Sequence, residues 1–106
     1  MRVLLDEQIP VGLAPHLTGH AVTTVRGRGW AGVTNGQLLL RMAGQVDAFV
    51  TMDRRLAEQH DLTALPFGTV IVRAPSNRMQ HLVPLAPAVL VALEGLGRGE
   101  VRRVPV

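Results

Sequence analysis

Residues 47–56 read DAFVTMDRRL, and the fold turns on how this stretch is divided. DAFVTM (47–52) has the apolar, β-branched character of a short strand, and RRLAEQH (54–60) opens a helical pattern. Asp53 stands at the junction. A carboxylate there either caps the helix, for which aspartate is among the best residues, or forms one wall of a site.

The same alternation runs outward in both directions. RVLLD (2–6) reads as a first buried strand, followed by a short helix around Pro10–Leu17, with Pro10 suited to a first turn. HAVTTVR (20–26) is a second strand. The loop GRGWAGV leads to a helix over 35–43, whose start is marked by Thr34 and Gln37 in a capping-box spacing. FGTVIVR (67–73) is a fourth strand. RAPSNR then turns into a helical region, with Ser76 or Asn77 as its cap, which Pro84 and Pro87 divide. Pro87 fits the first turn of a helix running to about Glu94, and EVRRVPV ends in a short edge strand that tolerates Pro105. This spacing predicts one domain over 1–106, an α/β three-layer sandwich with a mostly parallel sheet of four to five strands.

Composition narrows the chemistry. The 106 residues suffice for one packed core, and with 47% hydrophobic but 3% aromatic residues that core must be built from Leu, Val and Ala. The absence of cysteine excludes disulfides, thiolate metal sites and thiol nucleophiles, and accords with a reducing cytoplasm. Acid at position 6 interrupts any leader-like apolar stretch. The longest nearly apolar run, LVPLAPAVLVAL (82–93), is too short for a bilayer and holds two prolines, so a soluble, cytoplasmic protein without a membrane role is expected. The pI of 11.3 overstates basicity, because lysine and tyrosine are both missing and the formal charge is +3. Arginine performs every permanent cationic task.

Ligands of open parallel sheets bind beyond the carboxyl ends of the strands. Strand one ends in Asp6-Glu7-Gln8, strand two in Arg26, Arg28 and Trp30, strand three in Thr51, Asp53, Arg54 and Arg55, and strand four in Arg73, Ser76, Asn77 and Arg78. Six of the eleven arginines therefore gather at one edge with two separated carboxylates. Asp6 and Asp53 suit Mg²⁺ or Mn²⁺, which take oxygen ligands and keep waters. Such an ion activates water against a phosphodiester. Arg26, Arg28, Thr51, Arg54, Arg55, Arg73 and Arg78 are candidate substrate contacts, the arginines by forked hydrogen bonds to phosphate. Trp30 either stacks on a base or packs its loop; loop packing is the commoner use. Glu7, adjacent to Asp6 on an extended segment, should face away from it into solvent. No histidine shows a partner in the sequence, and none is assigned to metal. A phosphoacceptor receiver domain also carries acids after its first and third strands, but its lysine has no counterpart here.

Several of these segments together resemble a known family. LLDEQIP (4–10) resembles the LLDEN-hydrophobic-Pro opening of small PIN-like proteins related to VapC-type toxin ribonucleases. GHAVTTVR (19–26) is similar to that family's second strand, GVTNGQLL (32–39) to its G-x-S-D-E-E-I-L segment, VTMDRRL (50–56) to its VTxDxDF segment, and FGTVIVRAPSNRMQHL (67–82) to its C-terminal half. The resemblance implies a PIN-like sheet, a Mg²⁺- or Mn²⁺-dependent ribonuclease of toxin–antitoxin type, RNA as substrate, a small antitoxin as partner, and dimerisation as a recurrent habit. It places Asp6 and Asp53 at acidic catalytic and metal positions, with Asn35 and Gln37, whose carbonyl oxygens could still ligate the metal, where the family has acids, and Arg55 where VTxDxDF has its second one.

Three negative charges are thus removed and one positive added. At a few ångströms each unit charge counts for roughly 1–4 kcal/mol in partly solvated surroundings. Two readings follow: a nuclease with a depleted site of lowered or lost activity, or a non-catalytic PIN-like module that binds RNA or an antitoxin-like protein. On either reading, the guanidinium of Arg55 is expected to stand in part for the metal by pairing with Asp6 or Asp53. The apolar run 82–93 offers a homodimer surface, with core burial its competing use.

Overall fold

The computed structural model describes residues 1–105. Five strands, β1 (Arg2–Leu5), β2 (Ala21–Thr24), β3 (Ala48–Thr51), β4 (Gly68–Val72) and β5 (Val101–Val104), form one sheet in the order β2-β1-β3-β4-β5. All four pairings are parallel, so the expected α/β fold holds, with no antiparallel member among the described residues. Four helices accompany the strands: α1 (Asn35–Met42), α2 (Leu56–Gln59), α3 (Met79–Leu82) and α4 (Ala86–Leu93).

The central strands are apolar at almost every position because both of their faces are covered. Val3, Leu5, Ala48, Val50, Val70, Val72 and Val104 join a cluster completed by Leu82, Ala86, Val89 and Leu93 from α3 and α4. Their neighbours Leu4, Phe49 and Ile71 point the other way, into a second cluster with Leu38, Leu39 and Met42 of α1 and Leu56 of α2. Each fully buried large side chain contributes about 1.5–3 kcal/mol of transfer free energy. A one-residue slip of any central strand would exchange the two cores, and this fixes the register.

Most boundaries match the sequence reading to within two residues; the exceptions have local causes. The helix expected around Pro10–Leu17 is a 3₁₀ turn over Val11–His16, with Pro15 inside it, a residue that cannot donate to an α-helical ladder. α2 is a single turn, since Arg54 and Arg55 belong to the preceding bend. Thr34 does cap α1, its hydroxyl accepting from the Gln37 amide at 3.3 Å. Pro84 and Pro87 divide the last helical region, but through a 3₁₀ turn (Val83–Leu85) rather than a break, and the backbone stays right-handed helical across Leu82–Ala86. Gly99, at φ +72°, swings the chain into β5 against the Thr63 carbonyl, where a Cβ would collide.

This topology positions the site. Chain direction along the sheet reverses between β1, which leads outward to β2, and β3, which leads outward to β4 and β5. The crevice between β1 and β3 is the switch point at which open parallel sheets bind ligands. Asp6 follows β1 and Asp53 follows β3.

Candidate active site

Asp6 extends the ladder one step beyond β1, its amide donating to the Val50 carbonyl at 2.9 Å. That bond holds its side chain over the end of the sheet, and the residue is only 6% exposed. One carboxylate oxygen accepts the Thr51 hydroxyl at 2.6 Å and the other the Glu7 amide at 2.8 Å. Thr51, fully buried at the end of β3, accepts in turn from the Asp53 amide at 3.0 Å. An unbroken relay therefore runs from the main chain of Asp53 through the Thr51 hydroxyl to Asp6.

Asp53 is half-buried and does two things at once. Its Oδ1 accepts from the Arg55 amide at 2.9 Å, closing an Asx turn that starts the bend into α2. Its Oδ2 accepts from the Asn35 side-chain amide at 3.3 Å. Asn35 comes from the first turn of α1, so three elements meet at this crevice.

Asp6 has its pKa raised. Burial is the main cause, with the charges of Asp53 and Glu7 adding to it, while the bonds from Thr51 and the Glu7 amide work in the opposite direction. Among the described residues no cation forms an ion pair with Asp6 or Asp53; the two ion pairs present are Arg2–Asp47 and Arg102–Glu100. The expected pairing of the Arg55 guanidinium with these acids is therefore corrected. In an Asx turn the third residue presents its amide to the carboxylate, and the Arg55 side chain is exposed instead.

The other sequence-derived candidates separate into groups. Gln37 remains at the helix start: its amide is capped, its side chain is exposed, and it makes no hydrogen bond to either acid. Arg26 lines a cavity of about 490 Å³ together with Asp6, Glu7, Ile9 and Thr24. Arg28 is engaged elsewhere, donating to Thr23 at 2.9 Å and to Gln45, and covering the Trp30 ring at 5.2 Å from its centroid. Trp30 packs against the second core, its loop-packing use. Arg54 and Arg73 share a shallow cleft on the opposite flank with Pro75. Arg78 is exposed beside α3, its amide held by the Ser76 hydroxyl at 3.1 Å. The arginines thus bracket the acids on two sides without neutralising them.

Three tethers were not readable from the sequence. Glu7 is exposed as expected, yet its carboxylate accepts the Gly32 amide at 3.1 Å and ties down the Trp30 loop. The Asn77 side chain donates to the Gln8 carbonyl at 2.8 Å, drawing the loop after β4 toward the acids. His81, which showed no partner in the sequence, lies 2.6 Å from the Ser76 hydroxyl. The first two join residues 25 and 69 positions apart, where no local spacing rule applies.

Comparison with protein-family models, curated proteins and solved structures gave no match.

The residues present fit a hard divalent ion of low protein coordination. Among the described residues no group of three or more acids or histidines converges on one point. Asp6 and Asp53 are linked through Thr51, the charge of Asp53 acts on Asp6, and the Asn35 side chain reaches Asp53 through its amide nitrogen. One or two carboxylates with several retained waters is the usual protein share of a Mg²⁺ site. A buried carboxylate with no protein cation is the electrostatic condition such an ion would relieve.

Proposed function

We propose that this protein is a PIN-like, Mg²⁺- or Mn²⁺-dependent ribonuclease of toxin–antitoxin type, working with a reduced set of acids. The observation that carries this reading is the burial of Asp6 at the β1/β3 switch point, paired with no cation among the described residues and coupled through Thr51 to Asp53. Asp6 and Asp53 would hold the ion, with the Asn35 carbonyl as a further oxygen donor. When bound, the ion polarises the phosphodiester and lowers the pKa of the attacking water.

The chain's own groups do the remaining work. Thr51 fixes the Asp6 carboxylate by donating to one of its oxygens, and Asp53 is held open by the amide of Arg55. Arg26 on one flank and Arg54 and Arg73 on the other, with the exposed Arg55 after Asp53, would hold successive phosphates of an RNA strand lying across the crevice.

The test is cleavage of single-stranded RNA with Mn²⁺, with Asp6→Asn and Asp53→Asn as controls. Each substitution should lower the rate by about 10²-fold or more. Activity untouched by the double substitution would assign the cleavage to a contaminant and sink the reading. Growth arrest on expression, relieved by the product of an adjacent gene, would establish the toxin and antitoxin roles.

A second reading, a non-catalytic PIN-like module that binds RNA or an antitoxin-like protein, draws on one specific observation. Among the described residues no third acid joins Asp6 and Asp53, and the exposed Gln37 makes no hydrogen bond to them. RNA binding that persists in chelator, in a protein without cleavage and without heat of Mn²⁺ binding, would favour it.

A further inference from the structure

A second concavity of the molecule does not touch the acids. It is a groove of about 700 Å³ between α4 and the outer edge of β5, and among the described residues no carboxylate lines it. Its floor is Ala88, Val91 and Ala92 of α4 with Val104 of β5. α4 reads APAVLVAL and holds no polar side chain, although one face of it is outside the core: Val91 is 64% exposed. A helix apolar on every side is ordinarily covered on every side.

The groove adjoins an open sheet edge. Among the described residues β5 pairs with β4 alone. The Glu100 carbonyl accepts from Thr69 and the Val104 carbonyl from Arg73, so the even-numbered residues of β5 turn their main chain toward β4. By alternation, the N–H and C=O groups of Val101 and Arg103 point outward. Side chains alternate as well: Val104 lies on the α4 side, while Val101 packs toward the opposite core, the side to which Arg103 also belongs.

Charge selects the occupant. Arg102 is already engaged, its guanidinium donating to the carbonyls of Ala92, Glu94 and Gly95 and thereby locking the end of α4 to β5. Arg73 and Arg103, also at the groove, form no ion pair among the described residues. A second copy of this chain would bring the same two arginines to the seam from both sides, because a two-fold interface uses one patch twice. Like charges facing across paired strands destabilise them.

We propose that the edge of β5 and the α4 groove receive an extended acidic–apolar segment of a protein partner, added to the sheet as a sixth strand. Its outward N–H and C=O groups pair with Val101 and Arg103, alternate apolar side chains rest on Ala88, Val91 and Ala92, and the intervening acids meet Arg103. This is strand addition with side-chain pockets, a general mode of peptide recognition. It is independent of the nuclease reading.

The test uses short blocked peptides alternating Val with Glu, Lys or Ser, titrated into the full chain by fluorescence anisotropy. The Val/Glu peptide should bind at least about tenfold tighter than the Val/Lys peptide, and both Val91→Glu and Arg103→Glu should weaken it about tenfold or more. Arg103→Glu should also shift preference toward the Val/Lys peptide, a gain that misfolding cannot mimic. Saturation should slow hydrogen exchange at the Val101 and Arg103 amides by about tenfold or more, with little change at Arg102 and Val104. Asp6→Asn should leave all of this unchanged. The proposal is overturned by equal affinity for the Glu and Lys peptides, by no binding up to about 1 mM, or by a Val91-dependent dimer in sedimentation.

Discussion

At the amino ends of β1 and β3, Asp47 meets Arg2. Its oxygens accept from the Arg2 amide at 2.7 Å and from the guanidinium at 3.1 and 3.2 Å, and these bonds hold its pKa below the ordinary carboxylate range. At the carboxyl ends of the same two strands, Asp6 is more deeply buried, meets no cation, and has its pKa pushed up. A carboxylate that ties two strands together is supplied with its counter-charge by the chain. Asp6, at the opposite end of the same strands, is not. Arginine is not scarce near Asp6, since Arg26 lines the adjoining cavity. The charge there is uncompensated because of geometry, not composition.

Asp6→Asn tests this contrast hardest, and its two readouts should move in opposite directions. Mn²⁺-dependent RNA cleavage should fall about 10²-fold or more. Thermal stability without metal should rise at neutral pH, because the substitution removes a buried charge that the fold disfavours; a gain of ~1 kcal/mol corresponds to roughly 4–8 °C in a domain of this size. The sign follows from linkage. With the folded pKa raised, stability is full below the unfolded pKa and is lost as pH rises through the folded value. The advantage of the variant should therefore shrink on acidification toward the ordinary aspartate range. Mn²⁺ should raise the melting temperature of the native protein and not that of the variant. A variant that is less stable at pH 7 would refute the view of Asp6 as uncompensated.

The buried threonines of β3 and β4 sharpen the comparison at smaller amplitude. Thr51 is bonded on both sides, to Asp6 and to the Asp53 amide. Thr69, equally buried, has a hydroxyl with no hydrogen-bond partner. Thr51→Val should cost about 1–3 kcal/mol in chemical denaturation, since it leaves two polar groups unpaired in the crevice. Thr69→Val, nearly isosteric, should be neutral or stabilise by up to about 1 kcal/mol. Equal losses at the two positions would mean that the Thr51 relay has no special weight.

How far the sequence foretold this depends on the range of each interaction. RVLLD, DAFVTM and FGTVIVR are continuous apolar runs, and their spacing by helical segments dictated a parallel sheet before any contact was known. Thr34 and the prolines at 84 and 87 act within one turn, so their effects were legible too. Asp6 and Asp53 came together because strand ends converge by topology. The Thr51–Asp6 bond joins residues 45 apart, and nothing in the spacing announces it. Arg55 shows the opposite failure. Its position two residues after Asp53 suggested an ion pair, but that spacing serves the backbone amide and sends the guanidinium into solvent.

The smallest effect lies on the quiet side of the comparison. Asp47→Asn keeps a carbonyl oxygen for the Arg2 amide and loses the charge that draws the guanidinium. Both side chains are well exposed, at 52% for Arg2 and 42% for Asp47, so water and salt screen most of the attraction and the loss of stability should be small. Its pH dependence is the decisive part. With the folded pKa depressed, the contribution of Asp47 is present above its unfolded pKa and disappears as pH falls through the folded value. Native protein and variant should then converge in melting temperature under acid, and again in high salt at pH 7. Asp6→Asn should instead approach the native protein from above, and added salt should leave its neutral-pH gain largely intact, because that gain comes from desolvation rather than from a screened surface charge. Melting curves of both variants along one pH series would separate a carboxylate that holds strands together from one buried without a counter-charge.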